Sequence, residues 1–358
     1  MSSLQIYLPA TIIALSGFAC SKSKQATSPP IAAIAAVDEA PEPEPEPEPA
    51  PPTRRVGDDA IAVGTFNLQW AHDPLGDAPK LAKRYRAKSD EDWEWKVAQI
   101  AQLLADERLD VVALQELGGE SEVTDIALAV ERLGGPSYDW AFLESTDRLA
   151  GHHVAILSRF PIESHQRFDI HMRRHLAADI ALPDETTVTF VAMHAAGGKY
   201  PSNEQARAKQ AKALKRALKS LQAEHPVILL GTMNSPHLPG AKKYRTSSAG
   251  VLSGRTTRRE DDDCFDSAEF LTGQSTTVSG ATADRIVSCG LEIADVELVG
   301  HDAIVRDEAD PNGRVWSEIP IEEAPYRDVS DHLVLWAEIT LPPPPEPPET
   351  AGDATASP

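Results

Sequence analysis

Apolar positions in the body of the chain fall into two alternating kinds of segment. Short runs rich in β-branched residues read as strands: Ile61–Phe66, Asp110–Leu114, Val154–Leu157, Thr187–Met193, Val227–Leu230, Arg285–Ser288 and Leu333–Ile339. Between them lie segments with a helical period. Trp93, Val97, Ile100, Leu103 and Leu104 predict a helix over about 90–107, which Ser89 or Asp90 can cap. Gln210, Leu214, Ala217, Leu218 and Leu221 predict a second over 206–221. Strands interleaved with helices imply an α/β domain.

The polar residues next to these runs carry the chemistry. Asn67 follows the first strand, Gln115-Glu116 the second and His194 the strand TVTFVAM. Asn234 lies just past VILLG, Asp284 opens RIVS, and Ser330-Asp331-His332 opens the last strand. Polar groups gathered at strand ends make a site on one rim of a sheet, because strands fix positions and loops open to solvent. Each residue alone has a bland reading, as a turn residue, a structural histidine or a surface ion pair such as Asp284-Arg285; the ordered set does not. Glu116 and Asp331 supply carboxylates and Asn67 an amide oxygen, the ligand types of a hard divalent cation. His194 and His332 exchange protons near neutral pH. Asp284 can orient one of the histidines, and Asn234 offers an amide to an attacking water or a phosphate oxygen. Such a set suits phosphodiester hydrolysis, which needs an activated water, charge neutralisation and a proton for the leaving oxygen.

The motifs GTFNLQW (64–70), DVVALQEL (110–117), VAILSRFPI (154–162), TFVAMHAAG (189–197), VILLGTMN (227–234), ADRIV (283–287) and VSDHLVL (329–335) together resemble the endonuclease/exonuclease/phosphatase superfamily, which includes deoxyribonuclease I and inositol polyphosphate phosphatases. The resemblance spans nearly the whole body. It implies a four-layer α/β sandwich of two packed, mostly antiparallel β-sheets flanked by helices, and an Mg²⁺ or Mn²⁺ cofactor. It implies metal-binding roles for Asn67, Glu116 and Asp331, and catalytic roles for His194, Asn234, Asp284 and His332, with Asp284 the partner of His332. One position departs. The family's Gly-Asp-x-Asn reads Gly231-Thr232-Met233-Asn234 here. A threonine hydroxyl is no base near neutral pH, and loss of an acid/base group costs about 10²–10⁴ in rate. The expected activity is therefore metal-dependent phosphodiester hydrolysis, by a nuclease or another phosphodiesterase. The alternative is a catalytically impaired member that binds phosphate esters or protein. Asp261-Asp262-Asp263 as a substitute carboxylate reads more simply as a solvated loop, as do His152-His153 and Arg173-Arg174 as loop and strand-edge residues.

Composition narrows the picture. The 358 residues carry a formal net charge of −21. That disfavours sequence-tolerant binding of long nucleic acid, which relies on many Lys and Arg contacts, but leaves room for a local phosphate-ester groove. Residues 4–19 (LQIYLPATIIALSGFA) precede Cys20 and read as a secretory leader of lipoprotein type, despite Gly17 and the lack of a preceding Lys or Arg. Ordinary secretion and an uncleaved anchor are the alternatives. The expected organisation is a signal peptide (1–20), a Pro/Glu/Ala-rich spacer (21–57), the phosphoesterase domain (58–341) and a Pro-rich tail (342–358), with Cys20 lipidated and the domain outside the cytoplasm on a bacterial membrane. No protein partner is identifiable. Cys264 and Cys289 match no zinc pattern; they are either a disulfide or two buried thiols.

Overall fold

The structure, a computed structural model, describes residues 56–342 except 73–86, 145–152, 255–263, 301–328 and a few isolated positions. The leader, most of the spacer, most of the tail, His152 and Asp261-Asp262-Asp263 lie outside the described residues.

Two six-stranded sheets form the centre. The first has the order β11 (Ile293–Val299), β12 (Val334–Thr340), β1 (Ala60–Ala71), β2 (Val111–Leu117), β4 (His153–Ser158) and β3 (Asp139–Leu143). The second runs β5 (Ile162–Ile170), β6 (Arg173–Ala181), β7 (Thr187–His194), β8 (Val227–Thr232), β10 (Asp284–Cys289) and β9 (Phe265–Asp266). Each sheet holds a single parallel pair, β1–β2 in the first and β7–β8 in the second; the other pairs are antiparallel. The expected mostly antiparallel sandwich is the one observed.

The side-chain period of a strand sorts residues between two cores. On β1, Ile61 and Val63 enter the core between the sheets, while Ala62, Phe66 and Leu68 face outward under the helices. On β7, Val188, Phe190 and Ala192 enter the central core, and Val191 and Met193 the opposite outer core. Strands covered on both faces read as continuous apolar runs, which explains why no polar alternation marks them in the sequence. Helices α1 (Asp90–Glu107) and α2 (Glu120–Arg132) cover the first sheet through Ile100, Leu104, Ile126 and Val130. Helices α3 (Pro201–Leu218) and α4 (Ser248–Leu252) cover the second through Leu214, Leu218 and Leu252. Ser89 caps α1 by accepting from the Asp92 N–H at 3.1 Å. Helix α3 begins five residues earlier than its apolar spacing indicates, because Pro201 occupies its first turn. Helix α2 and the strand pair β5–β6 were not legible as elements. β6 is an interior strand, and Arg174 pairs with Asp169 at 3.1 Å and donates to the Glu144 carbonyl at 3.0 Å.

Cys264 and Cys289 form a disulfide, which settles the two alternatives left open by their spacing. It ties the end of β10 to the residue before β9. The bridge closes a loop over a sequence separation of 25 residues, so chain-entropy reasoning assigns it about 3 kcal/mol. Reduction is expected to lower the urea midpoint correspondingly; equal midpoints with and without reductant would show that the bridge contributes nothing to stability.

Candidate active site

The candidate residues meet where strands from both sheets end, and pairing register brings them there. Asn67 lies opposite Gln115 across the parallel β1–β2 pair, which puts it beside Glu116. His194 is opposite Thr232 across β7–β8, and Thr232 is opposite Asp284 across β8–β10. Two local irregularities re-aim the side chains. β1 does not stop at Phe66 as its apolar run suggests; it continues to Ala71 with a register shift between Asn67 and Ala71. β2 shifts register against β4 between Gln115 and Leu117, and Glu116 there adopts a left-handed φ of 62°. Bulges of this kind commonly lie next to active sites, where they turn a side chain out of strand alternation. Gly231, at φ 144°, lets β8 approach β7 so closely that a Cβ would collide with the Met193 carbonyl oxygen.

A continuous polar chain results. Asn67 donates from Nδ2 to Glu116 Oε1 at 3.0 Å and to Thr232 Oγ1 at 3.1 Å. Thr232 Oγ1 donates in turn to Asp284 Oδ1 at 2.7 Å. Asp284 Oδ2 meets His332 Nδ1 at 2.7 Å, and His332 Nε2 lies 3.6 Å from Asp331 Oδ1. On the other flank His194 Nε2 is 3.4 Å from Glu116 Oε1. Asn67, His194, Thr232 and Asp284 are buried, while Glu116 and Asp331 are only partly so. The sequence-selected residues are thus brought together, with one difference in role. Asn234, at φ 50°, uses its Nδ2 to bind the Ala195 carbonyl at 3.1 Å, so it pins the segment after His194.

Burial and charge fix the protonation of the central pair. Burial alone would raise the Asp284 carboxyl, but the His332 charge outweighs it, helped by hydrogen bonds from His332, Thr232 and Thr276, and holds Asp284 below the ordinary aspartate value. Burial opposes the charged form of His332; Asp284 first, then Asp331 and Glu116, overcome it and push the imidazole up to about 9. The pair is therefore an aspartate–imidazolium ion pair at neutral pH. Burial raises the Asp331 carboxyl, and the Glu116 and Asp284 charges add to this against the pull of His332.

The donor set fits a divalent cation held loosely. Among the described residues no cluster of three or more His, Cys, Asp or Glu side chains has a metal-holding arrangement. Mg²⁺, however, commonly takes one or two carboxylates and keeps several waters. Glu116 and Asp331 supply two carboxylates whose charges act on one another, and a cation would relieve that repulsion. Asn67 turns its nitrogen toward Glu116 and its oxygen to the Gln69 N–H at 3.0 Å, so in this arrangement it orients the carboxylate and would ligate a cation only after its amide rotates.

Four residues outside the selected set build the frame. Ser330 Oγ donates to the Asn67 carbonyl at 2.6 Å and accepts from the His332 N–H at 3.0 Å, which joins the last loop to β1. Thr276 Oγ1 accepts from the Asp284 N–H at 3.0 Å. Arg207, on α3, donates to the carbonyls of Ala196 and Gly198 at 3.1 and 2.9 Å, behind His194. Arg285 is fully buried, unlike the surface ion pair its place beside Asp284 suggests. It donates to the carbonyls of Asp284 and Ser235 at 2.8 and 3.0 Å and lies 3.6 Å from Asp266. Ser330 was visible as part of Ser-Asp-His and Arg285 as part of ADRIV, though as a surface ion pair; nothing in local sequence distinguishes Thr276 and Arg207.

The profile of the Endonuclease/Exonuclease/phosphatase family matches residues 64–332. None of the curated proteins matches the chain by sequence. Among solved structures, an endonuclease/exonuclease/phosphatase of Bacteroides vulgatus superposes with a TM-score of 0.52 at 16% identity, covering 79% of this chain and 99% of its own. A mannosyl-6-phosphatase of Bacteroides thetaiotaomicron gives 0.51 at 18% identity, covering 78% and 100%. A relative from Beutenbergia cavernae gives 0.53 at 16%, covering 81% and 73%. At these identities the likeness is one of fold.

Two measurements test the polar chain. Thr232→Val leaves Asn67 Nδ2 and Asp284 Oδ1 each short of a buried partner, so it is expected to cost about 1–3 kcal/mol in denaturant unfolding; an unchanged midpoint would mean that the bridge contributes nothing. In chelator, His332 is expected to titrate near 9 by NMR, and in Asp284→Asn at or below the ordinary value of about 6.5. His332 is raised on folding, so its contribution is full below about 6.5 and lost as pH climbs through 9; Asp284 is depressed, so its contribution is lost as pH falls through the acid range. A His332 midpoint unmoved by Asp284→Asn would sink the ion pair.

Proposed function

As the chain belongs to the Endonuclease/Exonuclease/phosphatase family, whose members include phosphatases and nucleases, we propose that it is a metal-dependent phosphoesterase that hydrolyses phosphodiester bonds. The observation that carries this reading is the unbroken polar chain from Glu116 through Asn67, Thr232 and Asp284 to His332. It places the Glu116 carboxylate next to His194 at one end and a charged imidazolium at the other.

In this reading water attacks phosphorus; a new P–O bond forms and the ester P–O bond breaks. The water proton passes to the Glu116–His194 pair, 3.4 Å apart. His332, held by Asp284 at Nδ1, directs its Nε2–H at the departing oxygen and supplies the proton that oxygen needs. Mg²⁺ or Mn²⁺ held by Glu116 and Asp331 would neutralise phosphate charge and make the water more acidic. Asn67 keeps Glu116 in place, and Asn234 and Arg207 fix the segment that follows His194. Thr232 joins the two ends without adding a charge, and without being able to act as a base.

A second reading follows from that same residue: a member that binds phosphate esters or protein but turns them over poorly. An aspartate at 232 would place a carboxylate against Asp284, where Thr232 Oγ1 now sits at 2.7 Å, and two such carboxylates both ionise only with a cation close by. Thr232→Asp is therefore expected to make both stability and activity more dependent on Mg²⁺. With an activated phosphodiester and Mg²⁺ or Mn²⁺, the wild-type protein should turn over, and Glu116→Gln and His332→Gln should each lose about 10²–10⁴ in kcat. A silent wild type with activity gained in Thr232→Asp supports the binding reading. Silence in both overturns the phosphoesterase assignment.

The same proposal places the domain outside the cytoplasm, tethered by lipid on Cys20 and held off a bacterial membrane by the Pro-Glu spacer. Cys20→Ser is expected to move the protein from the membrane fraction to the soluble one; unchanged fractionation would exclude the anchor.

A further inference from the structure

The second sheet has two ends with opposite character. Thr232 closes β8 and Asp284 opens β10 at the candidate active site; Pro226, just before β8, and Cys289, the last residue of β10, mark the other end. A six-residue strand spans roughly 20 Å. At that far end lies an open cavity of about 1240 Å³. Lys212, Lys215, Arg216 and Lys219 line it from α3 and its cap, Arg245 from the turn after β8, and His225 from the approach to β8. Among the described residues of the lining Glu224 is the one acidic side chain, and the Cys264–Cys289 disulfide forms part of the wall.

This concentration of cations runs against both local and global preference. The chain as a whole carries −21. Along α3 the four basic side chains stand three or four residues apart on one face, where like charges destabilise a helix. Cations near a helix C-terminus complement its dipole, which accounts for Lys215 and Arg216 but not for Lys212 a turn earlier or Arg245 from a different element. The separate observation is Lys215. Its Nζ is buried and makes no hydrogen bond among the described residues, although an ammonium brings three donors that are costly to bury without acceptors. A recess in which one sign of charge predominates focuses its field and gathers counter-ions. Guanidinium and ammonium groups in one recess match phosphate oxygens, Arg by paired N–H donors and Lys as a compact charge. The volume far exceeds what a single phosphate fills and suits a ligand of drug size or larger.

We propose that this cavity is a second anion site, remote from the active-site rim, that takes a small molecule or ion bearing several linked phosphate groups. The site does not depend on the phosphoesterase reading. Its occupant relieves the repulsion along α3.

The test is calorimetric titration of the purified protein with tripolyphosphate in EDTA and moderate salt, where metal bridging at the rim is removed. One-to-one binding is expected. The double variant Lys215→Gln/Arg245→Gln removes two of the lining charges and should weaken it about tenfold or more. His332→Gln, at the rim, should leave it unchanged, and the double variant should keep the wild-type rate on the activated phosphodiester if one is measured. Orthophosphate and citrate should each bind at least tenfold more weakly than tripolyphosphate. Absence of tripolyphosphate binding overturns the proposal. So does binding lost in His332→Gln but kept in the double variant, which would place the anion at the rim. Equal binding of citrate would reduce the site to unselective charge attraction and overturn its assignment to linked phosphates.

Discussion

The hydrogen bond from Thr232 to Asp284 is the joint on which the candidate site turns. Thr232 accepts from Asn67 and donates to Asp284, so one hydroxyl connects the ends of two sheets whose facing sides pack through apolar side chains. Asn67 belongs to the first sheet; Thr232 and Asp284 belong to the second. Through this joint the position of Glu116 is coupled to that of His332. A buried polar network of this type rigidifies when every member is satisfied and is expensive when one is not.

The same joint sets the charge balance. A carboxylate at position 232 would face Asp284 directly, and the pair could stay ionised only beside a cation. A neutral hydroxyl lets Asp284 commit its charge to His332, and the pair becomes an ion pair that needs no metal to persist. The consequence for chemistry is asymmetric. In the proposed reaction the acid would be His332, held by Asp284 at 2.7 Å, and the base would be drawn from Glu116 and His194, which meet at 3.4 Å.

Sheet geometry separates functions along a single set of strands. β8 and β10 run antiparallel, with Thr232 opposite Asp284 at one end and Val227 opposite Cys289 at the other. The first end gathers carboxylates and histidines. The second gathers Lys and Arg around a cavity whose wall includes the disulfide. The buried guanidinium of Arg285 braces β10 from its outer face, through Asp266 on β9 and the Ser235 carbonyl beyond β8. Strands that are covered on both faces and braced in this way hold both ends in fixed relation.

Much of this was legible in the residues themselves. The apolar runs located seven of the strands and two of the helices, because burial on both faces demands continuous apolar sequence and a surface helix demands a 3.6-residue period. Ordered motifs selected Asn67, Glu116, His194, Asp284, Asp331 and His332, and the missing aspartate at Thr232 was visible as a missing charge. Tertiary structure decided the rest. That Thr232 is a bridge, that Asn67 turns its nitrogen to Glu116, and that Asn234 holds Ala195 depend on register and on bulges at Asn67 and Glu116, which no local pattern encodes. Arg285 looked like a surface residue because its partners, Asp266 and the Ser235 carbonyl, are 19 and 50 positions away in the chain. Pairing of Cys264 with Cys289, and convergence of α3 lysines with Arg245, likewise require the folded chain. Periodicity and residue type report what each segment must bury or expose; only the pairing of distant segments determines which polar groups finally face one another.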